Sequence, residues 1–235
     1  MVQVAPVTLH RKPKAFDRSE AQNTFETLHP EFVQNARNLP VLEALSVHET
    51  DPRDYFQTQL TRVLFERMQG LPIVNTHLVV EVLPFERIEA KDVTDARNPK
   101  VLNLWLGVAM TPWSVQAVIV AADADSVFEH RAGVKRDIEL AGGVFTFIVT
   151  DDSLLGKCAM CSLKSPVFEF ADQATLRAFG LACTALLKSD EPLAEDSEIE
   201  NPKLADGTHR EVKPDNDKPR NQALSRRRFL TGRAG

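Results

Sequence analysis

From residue 51 the apolar positions fall into a helical rhythm, with Phe56, Leu60, Val63, Leu64 and Met68 on one face behind an Asp51-Pro52-Arg53-Asp54 start. An aspartate at the N-cap, a proline at the first helical position and an acid in the first turn are signals of helix initiation, because they satisfy or dispense with N–H groups that have no partner inside the helix. The spacing predicts a helix over 52–68, stopped by Gly70 and Pro72. Upstream, 21–50 carries only a thin helical pattern broken by Pro30 and Pro40 and is not expected to build the core. Residues 1–20, with Pro6 and Pro13, read as a loose basic arm.

Beyond Pro72 the period changes from 3.6 to 2, and Val, Ile and Phe accumulate. Strands are predicted at 76–83, 101–110, 115–122, 143–150 and 158–164. The clearest is 101–110, where Leu102, Leu104, Leu106, Val108 and Met110 occupy every even position. Thr111-Pro112-Trp113 separates it from the next run, and a proline that cannot donate to a ladder makes a turn between neighbouring strands. Residues 127–141 are undecided between short helix and loop. A second amphipathic helix is predicted over 172–187 from Leu176, Phe179, Cys183, Leu186 and Leu187. The expected fold class is α+β: an antiparallel sheet packed with two main helices, with extended N- and C-terminal tails. The expected division is an N-terminal extension at 1–50, a domain at 51–188 and a charged tail at 189–235. In that tail 190–200 holds six acids and no base, and 218–235 six bases and no acid, so it is expected to be disordered, its blocks attracting each other or a partner.

The formal charge of -5 argues against an extended nucleic-acid surface. Three cysteines, Cys158, Cys161 and Cys183, are too few for a secreted disulfide framework and point to a reducing compartment. The first 20 residues lack the apolar centre of a secretory signal and no stretch reaches 18 apolar residues, so a cytoplasmic protein without stable membrane insertion is expected. Six scattered histidines form no HExxH spacing, and no glycine-rich phosphate loop or GxSxG is present. No enzymatic activity and no cofactor are therefore expected. Cys158-Ala-Met-Cys161 has CxxC spacing, which would serve a thiol-based redox or metal-delivery factor. On a strand, however, positions i and i+3 face opposite ways, which favours two structural cysteines. Ser225-Arg226-Arg227-Arg228-Phe229-Leu230 resembles the consensus of a twin-arginine export signal. With five residues after Leu230 it lacks the apolar segment such a signal needs, leaving either a solvated basic tail or a segment that mimics or competes with a real signal.

Three strings then recur in order: Gly107 followed by Met110-Thr-Pro-Trp-Ser-Val-Gln-Ala-Val118, Cys161-Ser-Leu-Lys-Ser-Pro166, and Arg226-Arg-x-x-Leu-x-Gly-Arg233. Together they resemble the HybE family of nickel-iron hydrogenase assembly chaperones, over roughly 52–188 and the last ten residues. The chain departs from that pattern in its first 50 residues, in a charged insert at 91–99 and in the long linker after 189, and Cys158 has no counterpart in it. The four cysteines of the rubredoxin modules carried by some related maturation proteins are absent. The resemblance implies a chaperone that binds the hydrogenase small-subunit precursor, at its twin-arginine signal, and delays export until cofactors and the large subunit are in place, alongside other maturation proteins. Partner-binding residues would be Thr111, Pro112, Trp113, Cys161, Ser162, Ser165, Pro166, Arg226 and Arg227. Trp113 is either an aromatic wall of a peptide groove or a ring buried under the sheet. Glu81, Glu86, Asp151 and Asp152 are candidate carboxylates for a partner's arginines.

Overall fold

The elements in chain order are α1 (Arg18–Leu28), α2 (Pro30–Ala36), α3 (Arg53–Val63), β1 (Glu81–Val82), β2 (Glu86–Asp92), β3 (Lys100–Thr111), β4 (Ser114–Ala121), β5 (Lys135–Leu140), β6 (Gly143–Asp152), β7 (Gly156–Lys164) and α4 (Gln173–Lys188). The computed structural model describes residues 16–129 and 131–189. Residues 1–15 and 190–235, including Arg226, Arg227 and both charged blocks, lie outside the described residues.

The alternation at 101–122 becomes the β3–β4 hairpin, with Thr111 paired to Ser114 across Pro112 and Trp113. β3 also pairs with β2, β2 with β5, β5 with β6, β6 with β7 and β7 with β4, all antiparallel. The expected antiparallel sheet is present and closes into a barrel-like ring of six strands, with β1 beside the end of β3. Two strands that the sequence reading did not predict complete it. β2 (ERIEAKD) and β5 (KRDIEL) are mostly charged, each burying only two side chains on the inner side. They meet through two residue pairs, and that narrow seam is fastened by an ion pair in which Arg136 Nε donates to the nearly buried Asp92 carboxylate at 2.6 Å.

Both faces of the central hairpin are covered. The even residues of β3, with Ala117, Ile119, Ile138, Phe147, Val149, Ala159 and Leu163, form an inner core closed by Leu176, Cys183 and Leu187 of α4. There, a Cβ on Gly180 would lie 2.4 Å from Met110 Sδ, so any side chain at 180 would force Met110 to move, and glycine permits this approach of helix to strand. The outer cluster joins Phe56, Leu60 and Leu64 to Val80, Val82, Val118, Val120 and Cys158. Phe85 lies over Gly107, where a Cβ would meet the ring at 2.5 Å, and stacks on Phe56 with centroids 5.5 Å apart. The predicted helix at 52–68 is α3 continued by a π-helical turn, Leu64–Met68. Asp51 sits one residue before its cap and accepts from the N–H groups of both Arg53 and Phe85, tying the helix start to β2.

Two expectations need correction. Of the strand predicted at 76–83, only Glu81 and Val82 pair in the sheet, because side-chain amides satisfy the neighbouring backbone. Gln57 donates to Val80 O and accepts from Val82 N, and Gln173 accepts from Val79 N. Residues 18–36, excluded from the expected core, form two helices: Pro30 sits at the start of α2, where a missing N–H costs nothing, instead of breaking a helix. They bury Phe25 and Val33 in the outer cluster, and Phe25 packs edge-on against Phe32 and Phe65. The two-helix expectation thus becomes four α-helices among the described residues.

His48 sits against Tyr55 and Phe56, its ring almost wholly enclosed and its Nε2 without a hydrogen bond among the described residues. Burial lowers its pKa. Below the ordinary histidine value of about 6.5 the unfolded chain then binds a proton that the folded chain refuses. Stability is therefore expected to fall as pH drops below about 6.5, less steeply in His48→Phe, as measured by urea unfolding across pH. Phe25→Ala is expected to cost about 3 kcal/mol in the same assay; a loss under about 1 kcal/mol would place α1 outside the folding unit.

Candidate functional site

The turn between β3 and β4 is locked from within. Thr111 Oγ1 accepts from Ser114 N at 3.0 Å and lies 2.9 Å from Ser114 O, to which it donates, and both residues are buried. Pro112 O is held at 2.8 Å by the N–H of Asn75, from the loop after α3. Asn75 then reaches a third segment, the loop leaving β7. Its buried amide donates to Val167 O at 3.1 Å and Phe170 O at 2.9 Å, while its Oδ1 accepts from His77 N. Ser165 Oγ donates to Trp113 O at 3.2 Å, and the Ser165–Pro166 peptide bond is cis. Three loops far apart in sequence therefore form one tip, with Asn75 at its centre.

The tip's surface is mixed. Trp113 is half-buried at the margin of the outer cluster, and Ser165, Pro166, Ile73 and Phe168 are exposed, Phe168 at 54%. Glu169, also at the surface, is paired with Lys164. Of the candidate residues, Thr111, Pro112, Trp113, Ser165 and Pro166 converge here. Cys161 and Ser162 lie further along β7, opposite Ala117 and Gln116; Cys161 turns into the inner core and Ser162 outward. Asn75, which joins the three loops, was not singled out from the sequence. Its signal is an Asx turn in the Pro-flanked stretch Leu71-Pro-Ile-Val-Asn75.

The four candidate carboxylates are engaged within the chain. Glu81 binds Arg177 and Gln173, Glu86 binds Lys188 at 2.6 Å, and Asp151 faces Lys157 at 3.8 Å. Asp152 caps the β6–β7 turn and binds Arg67 at 2.6 Å. Burial works against its charge, but the Arg67 guanidinium and the N–H groups of Leu154 and Leu155 outweigh that and hold its pKa below the usual carboxylate range. They act first as structural clasps. The CxxC pair is divided by the sheet, Cys158 in the outer cluster and Cys161 in the inner core. Burial, with Asp152 and Asp151 nearby, pushes the Cys158 thiol up to about 12, the opposite of a reactive thiolate.

A family model described as [NiFe]-hydrogenase assembly, chaperone, HybE matches residues 51–232. The chain belongs to the HybE family. Within it, the chain is 30% identical over 153 residues to protein HoxT of Cupriavidus necator, covering 62% of this chain and 81% of that protein. It is 31% identical over 120 residues to hydrogenase expression/formation protein HupJ of Bradyrhizobium diazoefficiens, a match spanning 51% of this chain and 62% of that one. The solution structure of HybE from Escherichia coli aligns with a TM-score of 0.42 at 18% identity, over 69% of this chain and 96% of that one. The HybE segment contains the whole barrel, α3, α4 and the tip; α1 and α2 precede it.

Asn75→Ala would leave Phe170 O and the N–H of His77 without their Asn75 partner, while Val167 O keeps the N–H of Phe170, an expected loss of about 2 kcal/mol. Hydrogen exchange is the direct check. Amides at 75–78 and 165–170 should exchange faster while those of β3 and β6 do not change rank.

Proposed function

We propose that this HybE-family protein acts as a non-catalytic chaperone in the cytoplasm, holding the precursor of a nickel-iron hydrogenase small subunit, at its twin-arginine signal, until assembly is complete. The observation that carries the reading is that half-buried Trp113 and exposed Ser165 and Pro166 meet at one tip, with Thr111 and Pro112 buried beneath them. Strings that share a surface despite being fifty residues apart in sequence are economically explained by a shared partner. The chemistry suits a signal segment. Half-buried Trp113 and exposed Ile73 and Phe168 offer an apolar seat for residues following the arginines, and aromatic anchors of this kind dominate binding energies. Glu169 supplies a surface carboxylate beside them, at the cost of exchanging Lys164 for a client arginine.

Such a chaperone needs no turnover. It discriminates only if it binds immature client more tightly than finished enzyme, a difference of affinities and not a reaction. The thiol-based alternative loses its support from the geometry, since its two sulfurs lie on opposite sides of β7 and the Cys158 thiol is held protonated.

The test is calorimetric titration of the full chain with the small-subunit signal peptide and with its twin-lysine counterpart. Binding is expected for the first and strongly weakened binding for the second, because lysine cannot reproduce a bidentate guanidinium–carboxylate pair. Phe168→Ala is expected to reduce affinity about tenfold, within the range of a truncated aromatic anchor. Equal affinity for both peptides would exclude arginine recognition. Tight binding untouched by Phe168→Ala would move the client elsewhere on the surface.

A further inference from the structure

The loop that runs from α3 to the tip, residues 69–76, is held along one side by α1, a helix that precedes the family segment. At the start of the loop Arg18 Nη2 donates to Gln69 O at 3.2 Å, and the Gln69 side chain donates to Glu26 Oε1 at 3.4 Å. The Arg18 side chain also crosses buried Gly70, where φ is +73° and a Cβ would lie 2.4 Å from Arg18 Cγ and 3.0 Å from Arg18 O. Any other residue at 70 would strain the backbone and push the helix away from the loop. At the far end of the loop His29 Nε2 lies 2.9 Å from Thr76 O. A carbonyl only accepts, so the ring donates through Nε2.

His29 is itself firmly seated. Its N–H donates to Phe25 O and its carbonyl accepts from Val33 N, each at 3.0 Å, which makes it the joint between α1 and α2. Its ring lies against Phe25, centroids 4.9 Å apart, and Phe25 is buried in the outer cluster. At 1.5 Å of rise per residue roughly 16 Å of helix separates Arg18 from His29, so α1 is a bar fastened to the loop at both ends. Thr76 is bonded directly to Asn75, whose N–H holds Pro112 O and whose amide holds the carbonyls of Val167 and Phe170. A displacement of Thr76 therefore reaches both the Trp113 turn and the Phe168 loop. We propose that α1 positions the client site and that His29 is its positioning residue, acting through Thr76 and Asn75. The proposal rests on the function proposed above in taking the tip as the surface the client meets. The affinity of a site built from separate loops scales with the fraction of molecules in which the loops are in place, so loosening the bar weakens binding without removing any group that touches the client.

Amide exchange of the full chain and calorimetric binding of the small-subunit signal peptide read the two halves of the proposal separately. His29→Ala removes one hydrogen bond and is expected to speed exchange at 75–78 and 165–170 about three- to tenfold and to weaken the peptide about threefold. His29→Gln, whose side-chain amide carries an N–H to the same carbonyl, is expected to restore both. Ile138→Val, which trims the inner core on β5 at a comparable global cost, should leave exchange in these loops and peptide affinity unchanged. Loop exchange unmoved by His29→Ala, or moved equally by Ile138→Val, would overturn the bracing. Faster exchange with unchanged affinity, or affinity that His29→Gln fails to restore, overturns the positioning role and leaves α1 a structural support. A wild-type chain that does not bind the peptide, or binds it indifferently to Phe168→Ala, refutes instead the tip as the client site, and the bracing is then decided by exchange alone.

Discussion

Everything in this fold hangs on β3 being buried from both sides. Its even residues face the inner core and receive α4, and its odd side at Gly107 receives the ring of Phe85 and, through it, α3. A strand clasped in this way cannot shift register by one residue without expelling five large apolar side chains from the inner core. The register in turn fixes where the hairpin turns, and so where Trp113 emerges. Two close approaches, at Gly107 and Gly180, set how near the covering layers come, because side chains there would overlap Phe85 and Met110.

The tip inherits this rigidity. Its turn is braced by Thr111 and Ser114, and Asn75 binds it to two loops that would otherwise be independent. Peripheral loops usually sample many conformations, and the ordering cost of binding rises accordingly. In the function proposed above, a tip whose buried polar groups are already satisfied would present Trp113, Ile73 and Phe168 from a fixed base and so lower the ordering cost of binding.

How legible this was depends on how much apolar side chain each element spends. β3, β4, α3 and α4 bury continuous stripes, and their periodicity names them. β2 and β5 were missed because their outer faces are solvated and their inner faces bury little more than Ala90, Asp92, Ile138 and Leu140. They exist because the ring needs two more strands to close, a tertiary demand that local pattern does not carry. The stretch 76–83 erred the other way, its valines reading as strand while glutamine side chains held the backbone. In the candidate site, 111–113 and 165–166 were legible as strings, and Asn75 was not, since a lone asparagine near a proline signals only a turn. Cys158 and Cys161 were separated correctly by strand geometry alone.

The central claim is that the three-loop tip is the surface that grips the client. Hydrogen exchange of the full chain with and without the small-subunit precursor tests it most directly. Slowed exchange at 73–78, 111–114 and 165–170, with the far β5–β6 turn unaffected, is the predicted footprint. Protection confined to other surfaces, with these three loops exchanging as in the free protein, would contradict it.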